Sequence, residues 1–399
     1  MLKKILKWLG YLLLALLAVI AIYCALHFRA VSNMIRISGK PAASVSQFIP
    51  AETVRGCPAQ DFTAAPADAL APGTFAAMKN WSDRFGGLGL VVLINGQIAG
   101  ETYASGVDAK TALQTNSMHK SVVAMMMGAA LADGTVQSLD DPVGKYIDTL
   151  QDDPRGKITL RQLLSMASGL KNPSMSKMDS AAIEMMLGNV SDAALSLPQV
   201  GTAGTFNYNN ANLQLAGTAL ANAAARAGKG RYADYLSAKL WCPLGNSNAS
   251  LWLEYAGGQP RYYAYLNAGL HDWARVGELL RRKGEWNGQQ VLPASWIAEI
   301  TAPSAGNPSY GLGIWRGSPY AKDRRYSKEV KLTVPQAEPF LADDVVYFDG
   351  FGGQRVYVVP SAGLVIVRAG KASMAWDEGV LVNLALRGLG KSKTAPPAN

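Results

Sequence analysis

A serine and a lysine three residues apart, Ser117 and Lys120, are the side chains in this sequence best suited to covalent chemistry. They stand where the chain, polar from Gln114, becomes apolar for about three helical turns, up to Leu131. If the helix begins near Asn116, the two side chains lie one turn apart on the same face. A lysine so placed can accept the hydroxyl proton once burial or a neighbouring cation lowers its pKa toward neutrality. The spacing therefore predicts a Ser-Lys acyl-transfer site.

A Ser-x-x-Lys motif by itself is weak evidence, because a chain of this length is expected to contain one by chance. A second match, Ser174 to Lys177, does occur, but it follows Pro173 in a polar segment with no apolar helix behind it. The helical context favours Ser117 as the nucleophile.

Acyl transfer also needs a group to protonate the leaving group and donors for the oxyanion. Tyr208 and Asn210 offer a phenol and an amide in a Gly- and Asn-rich loop, just before a helix predicted to start near Asn212. A plain turn is the alternative, and a second Tyr-x-Asn at Tyr265 and Asn267 shows that the spacing is not rare. The position of the loop before a helix favours Tyr208 and Asn210.

Composition excludes several other classes of protein. With 49% hydrophobic and 17% charged residues, the 399-residue chain can bury a large core. The net charge of +9 is not gathered into basic clusters interleaved with aromatics, so no nucleic-acid partner is predicted. Three histidines without a His-Glu-x-x-His motif predict no metal site. Neither a dinucleotide fingerprint nor a phosphate-binding loop is present, so no cofactor is expected.

Residues 1–29 read as a transmembrane signal anchor. Lys3, Lys4 and Lys7 precede an apolar run from Leu9 to Leu26, which is long enough to span a bilayer. The lysines place the N-terminus in the cytoplasm, so the rest of the chain should lie on the periplasmic or extracytoplasmic side of the inner membrane. Cleavage as a signal peptide near 30–32 is the alternative, and the long apolar run favours retention.

Two of the three cysteines, Cys57 and Cys242, follow the membrane segment, whereas Cys24 lies within it. In an oxidising compartment the exported pair could form a disulfide. Two free buried thiols are an equal alternative, since nothing in the sequence fixes their separation.

Beyond the anchor the sequence predicts an α+β domain. Residues 30–72, rich in Ala, Pro and Ser, are expected to form a linker and extended arm. Asn95-Gly96 between two β-rich runs predicts a hairpin, and further strand signals return after about residue 305. Helical signals dominate between them. We therefore predict one antiparallel sheet assembled from both ends of the chain and flanked by helices, with an inserted, mainly helical domain.

The predicted boundaries follow from this arrangement. The folded domain covers residues 73–390, and 391–399 form a disordered tail. Its α/β part comprises 73–130 and 305–390, and its helical part 131–304.

The motifs in their order resemble those of the serine β-lactamase-related family, which includes class C β-lactamases, D,D-peptidases and esterase-like hydrolases. The resemblance extends from about Trp81 to Gly390 and implies the β-lactamase/transpeptidase-like fold. It rests on a series of segments: Asn95-Gly96, Ser117-Met-His-Lys120, Leu139-Asp-Asp-Pro-Val143, Ile158 to Gly169, Phe206-Asn-Tyr-Asn-Asn210, Asp272-Trp-Ala-Arg275 and Gly350-Phe-Gly-Gly-Gln354.

The resemblance also implies a role for each site residue. Ser117 would be the acylated nucleophile and Lys120 its proton acceptor. Tyr208 would protonate the leaving group and later activate water, and Asn210 would orient Lys120 and the acyl side of the substrate. The oxyanion hole would consist of the backbone N–H groups of Ser117 and Gln354.

The third family motif is where this sequence departs from the pattern. Family members carry Lys-Thr-Gly or His-x-Gly there, whereas the matching triplet here is Phe351, Gly352 and Gly353. A phenylalanine cannot pair with the carboxylate of a β-lactam. The pattern from 350 to 360 resembles instead the branch that contains 6-aminohexanoate-dimer hydrolase and related esterases. Together with Trp315, the triplet is predicted to line the substrate cleft.

These observations predict an exported, membrane-anchored serine hydrolase that cleaves a small ester or amide through an acyl-enzyme on Ser117, without cofactor. One alternative is a D,D-peptidase or β-lactamase acting on cell-wall-type substrates, which the missing cation at Phe351 disfavours. Another is a non-catalytic envelope binding protein on the same scaffold, which the four intact polar positions disfavour.

Overall fold

The computed structural model of the chain describes residues 2–38, 49–174, 179–327 and 332–389. The predicted tail 391–399 and Lys177 of the second Ser-x-x-Lys motif lie outside these residues.

Helices fill the N-terminus and the middle of the chain. In the described ranges the α-helices are α1 Leu2–Leu26, α2 Phe28–Ile37, α3 Thr74–Arg84, α4 His119–Ala132, α5 Leu160–Leu164, α6 Ser180–Leu187, α7 Val190–Ser196, α8 Asn210–Arg226, α9 Tyr232–Leu236, α10 Leu270–Arg281, α11 Ala294–Thr301 and α12 Val380–Gly388. A 3-10 turn at Asn116–Met118 leads directly into α4.

Strands lie mainly on either side of this helical region. They are β1 Ala51–Val54, β2 Gly87–Ile94, β3 Gln97–Tyr103, β4 Ala249–Trp252, β5 Leu266–Asn267, β6 Glu285–Trp286, β7 Gln289–Gln290, β8 Trp315–Arg316, β9 Asp323–Arg325, β10 Thr333–Pro335, β11 Val346–Gly350, β12 Gln354–Val359 and β13 Leu364–Gly370.

The main sheet has six antiparallel strands in the order β3-β2-β13-β12-β11-β8. Because β2 and β3 precede the helical region and the other four strands follow it, the prediction of one sheet built from both chain ends is confirmed. Side chains alternate between the two faces of a strand. Val356 and Val358 of β12 lie beside Gly277 of α10, whereas Arg355 and Tyr357 point to the opposite face, toward Glu378.

The predicted hairpin is formed by β2 and β3. Asn95 and Gly96 both have positive φ angles, 51° and 80°, as a type I′ turn requires. Asparagine and glycine tolerate this conformation best, which is why the dipeptide is so strong a signal for a hairpin.

Helix α4, which follows the 3-10 turn that carries Ser117, is buried along most of its length. Every residue from His119 to Ala130 is buried. Helix α11 crosses it closely, since the Trp296 indole donates a hydrogen bond to the Ala124 carbonyl at 3.1 Å. A Cβ atom at Gly128 would lie only 2.0 Å from the Trp296 ring, so this crossing requires glycine.

Helix α1 is long and apolar enough to cross a membrane over Lys3–Leu26, with a mean hydropathy of 2.6. Its length and composition suit a membrane anchor or a signal sequence. The most apolar stretch of this helix is not buried in the protein, so it contributes nothing to the core of the domain.

The segment predicted as a linker and arm differs from that prediction. Within 30–72, α2 packs on α6 and buries Ala30 and Asn33. Strand β1 then pairs with β4 over four residues, and Leu70 pairs with Leu389. The composition of the segment disfavours regular structure, but in its described parts, 30–38 and 49–72, hydrogen bonds and contacts with distant parts of the chain order the backbone.

Cys57 and Cys242 are joined in a disulfide, with their Cα atoms 4.7 Å apart. The sequence left this pairing open. The bond fastens the segment after β1 to the turn after α9 and closes a loop across 185 residues. Loss of a native disulfide in an exported domain typically costs about 2–5 kcal/mol of unfolding free energy.

We expect the double variant Cys57→Ser/Cys242→Ser to lower the unfolding free energy by about 2–5 kcal/mol. Thermal unfolding of the full chain in detergent, followed by circular dichroism, measures the effect. Cys24→Ser is the matched control, because this free cysteine lies in α1. An unchanged melting temperature in the double variant would show that the disulfide does not stabilise the fold.

Candidate active site

The candidate nucleophile stands at a strained entry to α4. Asn116, the residue before it, has a positive φ of 51°, which only a few residue types tolerate. Two side-chain hydrogen bonds hold it there: Gln114 donates to the Asn116 amide oxygen at 2.9 Å, and Asn116 donates to the Phe351 carbonyl at 3.1 Å. The turn leaves Ser117 half-buried at the edge of a cleft.

Lys120 lies one turn further along, beneath the serine. Its Nζ is 2.7 Å from Ser117 Oγ and donates a hydrogen bond to the Tyr263 carbonyl at 2.9 Å. The rings of Tyr208 and Tyr263 lie 5.0 and 5.4 Å from Nζ. Burial lowers the pKa of Lys120 to about 7, and the negative charge of Asp349 only partly opposes that shift. The amine can therefore be unprotonated near neutral pH.

Tyr208 closes the other side of the serine. Its phenol interacts with the Ser117 hydroxyl, and burial raises the Tyr208 pKa well above the ordinary value. Its backbone carbonyl accepts a hydrogen bond from the Asn172 amide at 2.9 Å, which fixes the loop. The tyrosine is thus a neutral proton donor at the pH where Lys120 is a proton acceptor.

Asn210 lines the same cleft from the first turn of α8, where Asn209 caps the helix by accepting from the Ala211 N–H at 3.0 Å. The resemblance implied that Asn210 orients Lys120. The hydrogen bonds of the Lys120 amine in the described part of the chain go instead to Ser117 and Tyr263. Asn210 is therefore placed to meet a substrate.

The turn between β11 and β12 contributes one of its predicted residues to the cleft. Phe351 lines it and is 43% exposed. Gly352 and Gly353 are buried behind it. Gln354 lies inside the sheet, where its side chain exchanges two 2.8 Å hydrogen bonds with the backbone of Gly370.

Trp315 is buried behind the cleft wall, not at its surface. Its ring packs 5.7 Å from that of Tyr208 and 4.8 Å from that of Tyr310. The tryptophan therefore supports the catalytic tyrosine candidate from behind, and the prediction that it lines the cleft is wrong.

Both ring nitrogens of His119 bind groups other than Ser117, Lys120 and Tyr208. Burial lowers its pKa to about 4. Its Nδ1 donates to the carbonyls of Arg261 and Ala264 at 3.2 and 3.3 Å, so Nε2 accepts from the Tyr232 hydroxyl at 3.0 Å. The neutral imidazole thus anchors the loop whose Tyr263 carbonyl holds Lys120.

A buried cluster of charges underlies the cleft, and sequence reasoning missed it. Asp349 accepts from Arg324 at 2.6 Å and from Arg355 at 2.7 Å. Glu378 pairs with the same two arginines at 3.0 and 2.6 Å. Burial alone would raise the pKa of Glu378, but the arginines outweigh it and lower the pKa to about 2. Charged residues within otherwise apolar strands were the signal, because a buried charge requires a partner.

The cleft encloses about 510 Å³, a volume suited to a small organic substrate. Tyr263, Tyr265 and Tyr326 supply aromatic walls in addition to the residues already described. Within the described residues no lysine, arginine or histidine lines it, and the Lys120 amine lies behind Ser117. Among those residues, no three His, Cys, Asp or Glu side chains converge as a metal-binding group would.

Known structures share this fold. A 6-aminohexanoate-dimer hydrolase homologue from Bacillus anthracis is 21% identical, with a TM-score of 0.67 over 85% of this chain and 89% of its own. EstCE1, a hydrolase with promiscuous acyltransferase activity, is 15% identical, with a TM-score of 0.60 over 80% and 99%. A penicillin-binding protein homologue from Caulobacter crescentus is 16% identical, with a TM-score of 0.54 over 80% and 97%.

Among curated proteins, none matches the sequence. The family model described as Beta-lactamase matches residues 62–371, which is most of the chain. This range includes the serine, the lysine, the tyrosine loop and the β11–β12 turn around the cleft. The chain therefore belongs to the beta-lactamase family and is a serine hydrolase of that fold.

Proposed function

We propose that the protein hydrolyses a small ester or amide through an acyl-enzyme on Ser117. The observation that carries the proposal is the 2.7 Å contact between Ser117 Oγ and the amine of Lys120, whose pKa is lowered to about 7. A nearby base of near-neutral pKa is what a serine hydroxyl needs to become a nucleophile.

In the first step Ser117 Oγ attacks the substrate carbonyl and its proton passes to Lys120. The C–O or C–N bond of the substrate then breaks, and Tyr208 supplies a proton to the departing alcohol or amine. Tyr208 recovers a proton from Lys120, which returns both groups to their starting forms. A water molecule then attacks the acyl-enzyme and passes a proton through Tyr208 to Lys120. The bond between the acyl carbon and Ser117 Oγ breaks, Oγ takes a proton back from Lys120, and the acid is released.

Two backbone N–H groups are needed where negative charge develops on the carbonyl oxygen. One is that of Ser117. The family resemblance implies Gln354 for the second, but Gln354 already pairs with Gly350 of β11 at the start of β12. We assign this role to Phe351, which lines the cleft and whose carbonyl accepts from Asn116, next to the serine.

We further propose that the chain is anchored by α1 in the cytoplasmic membrane, with the hydrolase on the extracytoplasmic side. The lysines before the apolar helix support this orientation. The Cys57–Cys242 disulfide supports it independently, because such bonds persist in oxidising compartments.

The nucleophile can be tested with a fluorophosphonate probe on the full chain in detergent. We expect one adduct, on Ser117, and its loss in Ser117→Ala, because the Lys120 amine lies 2.7 Å from the Ser117 hydroxyl. Ser174→Ala is the matched control and should label normally. Peptide mass spectrometry locates the adduct. Labelling at Ser174, or none in folded protein, would exclude the assignment.

The pH dependence follows from the lowered pKa of Lys120. The free amine is present above about pH 7 and is lost as the pH falls, so kcat/KM should drop about tenfold per pH unit below 7. His119 titrates near 4 and cannot produce this midpoint. Initial rates with p-nitrophenyl butyrate between pH 5 and 9 measure it.

Lys120→Arg, which stays protonated, should lose about a hundredfold to ten-thousandfold in kcat. A profile that is flat down to pH 5, or near-normal activity of this variant, would remove the lysine from the base role.

Substrate charge gives a further test. Because no cation lines the described part of the cleft mouth, we expect p-nitrophenyl butyrate to be turned over and a fluorescent penicillin not to acylate Ser117. Gel fluorescence after incubation, with Ser117→Ala as the control, reports acylation. Stable labelling by the penicillin would favour the D,D-peptidase or β-lactamase alternative.

A further inference from the structure

Helix α2 connects the apolar helix α1 to the catalytic domain through specific side-chain contacts. At its start His27 Nδ1 lies 2.5 Å from Glu184 of α6. Near its middle the Asn33 amide donates to the Leu187 carbonyl at 2.7 Å, and Ala30 is buried beside it. The first residues after α1 are therefore fixed to α6.

The opposite side of α2 is apolar and basic, and it has no partner among the described residues. Phe28 and Ile35, seven residues apart and so on the same side, are 70% and 68% exposed. Met34 and Arg36 are exposed as well. A helix with such a face, at the end of an apolar span, suits the boundary between acyl chains and anionic headgroups.

The far side of α6 forms a wall of the catalytic cleft. Met186 lines the cleft and is 47% exposed. The Met185 carbonyl accepts a hydrogen bond from the Tyr263 hydroxyl, and the Arg261 guanidinium donates to the Met186 and Gly188 carbonyls at 3.0 Å each. Arg261 and Tyr263 belong to the loop whose Tyr263 carbonyl binds the Lys120 amine.

Helix α6 thus separates α2 from the cleft. A helix with its side chains is about 10 Å across, so the cleft lies about that far from the helix that continues the membrane span. The exposed residues at its edge, Met186 and Phe351, are apolar. A substrate dissolved in the bilayer would meet an apolar entrance at this position.

We propose that the cleft takes its substrate, an ester with a long acyl chain, from the bilayer. Helix α2 lies at the boundary between acyl chains and headgroups and holds the cleft close to the membrane surface. This inference rests on the proposed function and adds the substrate class. Acyl transfer at Ser117 proceeds as described above, with the chain leaving the lipid along Met186 and Phe351.

The test uses the full chain in vesicles of phosphatidylcholine and phosphatidylglycerol. Two esters with the same leaving group are compared: p-nitrophenyl butyrate in the water and p-nitrophenyl palmitate in the vesicles. The double variant His27→Ala/Asn33→Ala removes the hydrogen bonds of these two side chains to Glu184 and to the Leu187 carbonyl. We expect palmitate turnover to fall about tenfold and butyrate turnover to be unchanged, since two hydrogen bonds are lost far from the reacting atoms.

Asn222→Ala is the matched control, because its amide also donates to a backbone carbonyl, that of Tyr146 at 3.0 Å. It should leave the ratio of the two rates unchanged. Phe28→Asp/Ile35→Asp changes only the lipid-facing side and should lower palmitate turnover alone. This second variant keeps the test valid if the first one unfolds.

The outcomes separate the two proposals. Butyrate turnover with no palmitate turnover by the unmodified protein would overturn the inference and leave the proposed function intact. Equal changes in both rates, or none, in the α2 variants would also overturn it, because α2 would then only stabilise the fold. Absence of Ser117-dependent turnover of either ester would overturn the proposed function itself.

Discussion

The burial of the Lys120 amine is the constraint on which the site depends. In water this group would be charged at any physiological pH, and as a cation it could not accept a proton from serine. Enclosure between the rings of Tyr208 and Tyr263 brings its pKa to about 7. The same enclosure raises the pKa of the Tyr208 phenol. One apolar environment thus keeps both neighbouring groups neutral, as their proposed roles of proton acceptor and proton donor require, since burial disfavours the charged form of each.

The charges below the cleft are compatible with that environment only because they are paired. An isolated Asp349 carboxylate near Lys120 would stabilise the ammonium form and raise its pKa again. Arg324 and Arg355 bind Asp349, and Glu378 balances the second arginine. The cluster has no net charge, which limits its effect on the amine. It also joins β9, β11 and β12 to the chain before α12 by interactions whose loss would leave a buried charge unpaired.

The described parts of segment 30–72 pack against the catalytic domain, although the composition of the segment is typical of a linker. Helix α2, strand β1 and the disulfide attach it at three points. A free tether would let the cleft take any orientation relative to the end of α1. Docking of α2 on α6 restricts that freedom, and it brings an apolar cleft edge close to the end of the apolar helix.

Local sequence determined much of this protein. Asn95-Gly96 predicts a turn, the run from Leu9 to Leu26 an apolar helix, and Ser117 with Lys120 a pair on one helical face, because each depends only on neighbouring residues. Tertiary structure decided what depends on distant parts of the chain. The Lys120 amine donates to the backbone carbonyl of Tyr263. Every residue has such a carbonyl, so the residue types in the sequence do not identify this contact. The pairing of Cys57 with Cys242, the hydrogen bond of Asn116 to the Phe351 carbonyl and the docking of α2 likewise depend on folding that brings together residues more than a hundred positions apart.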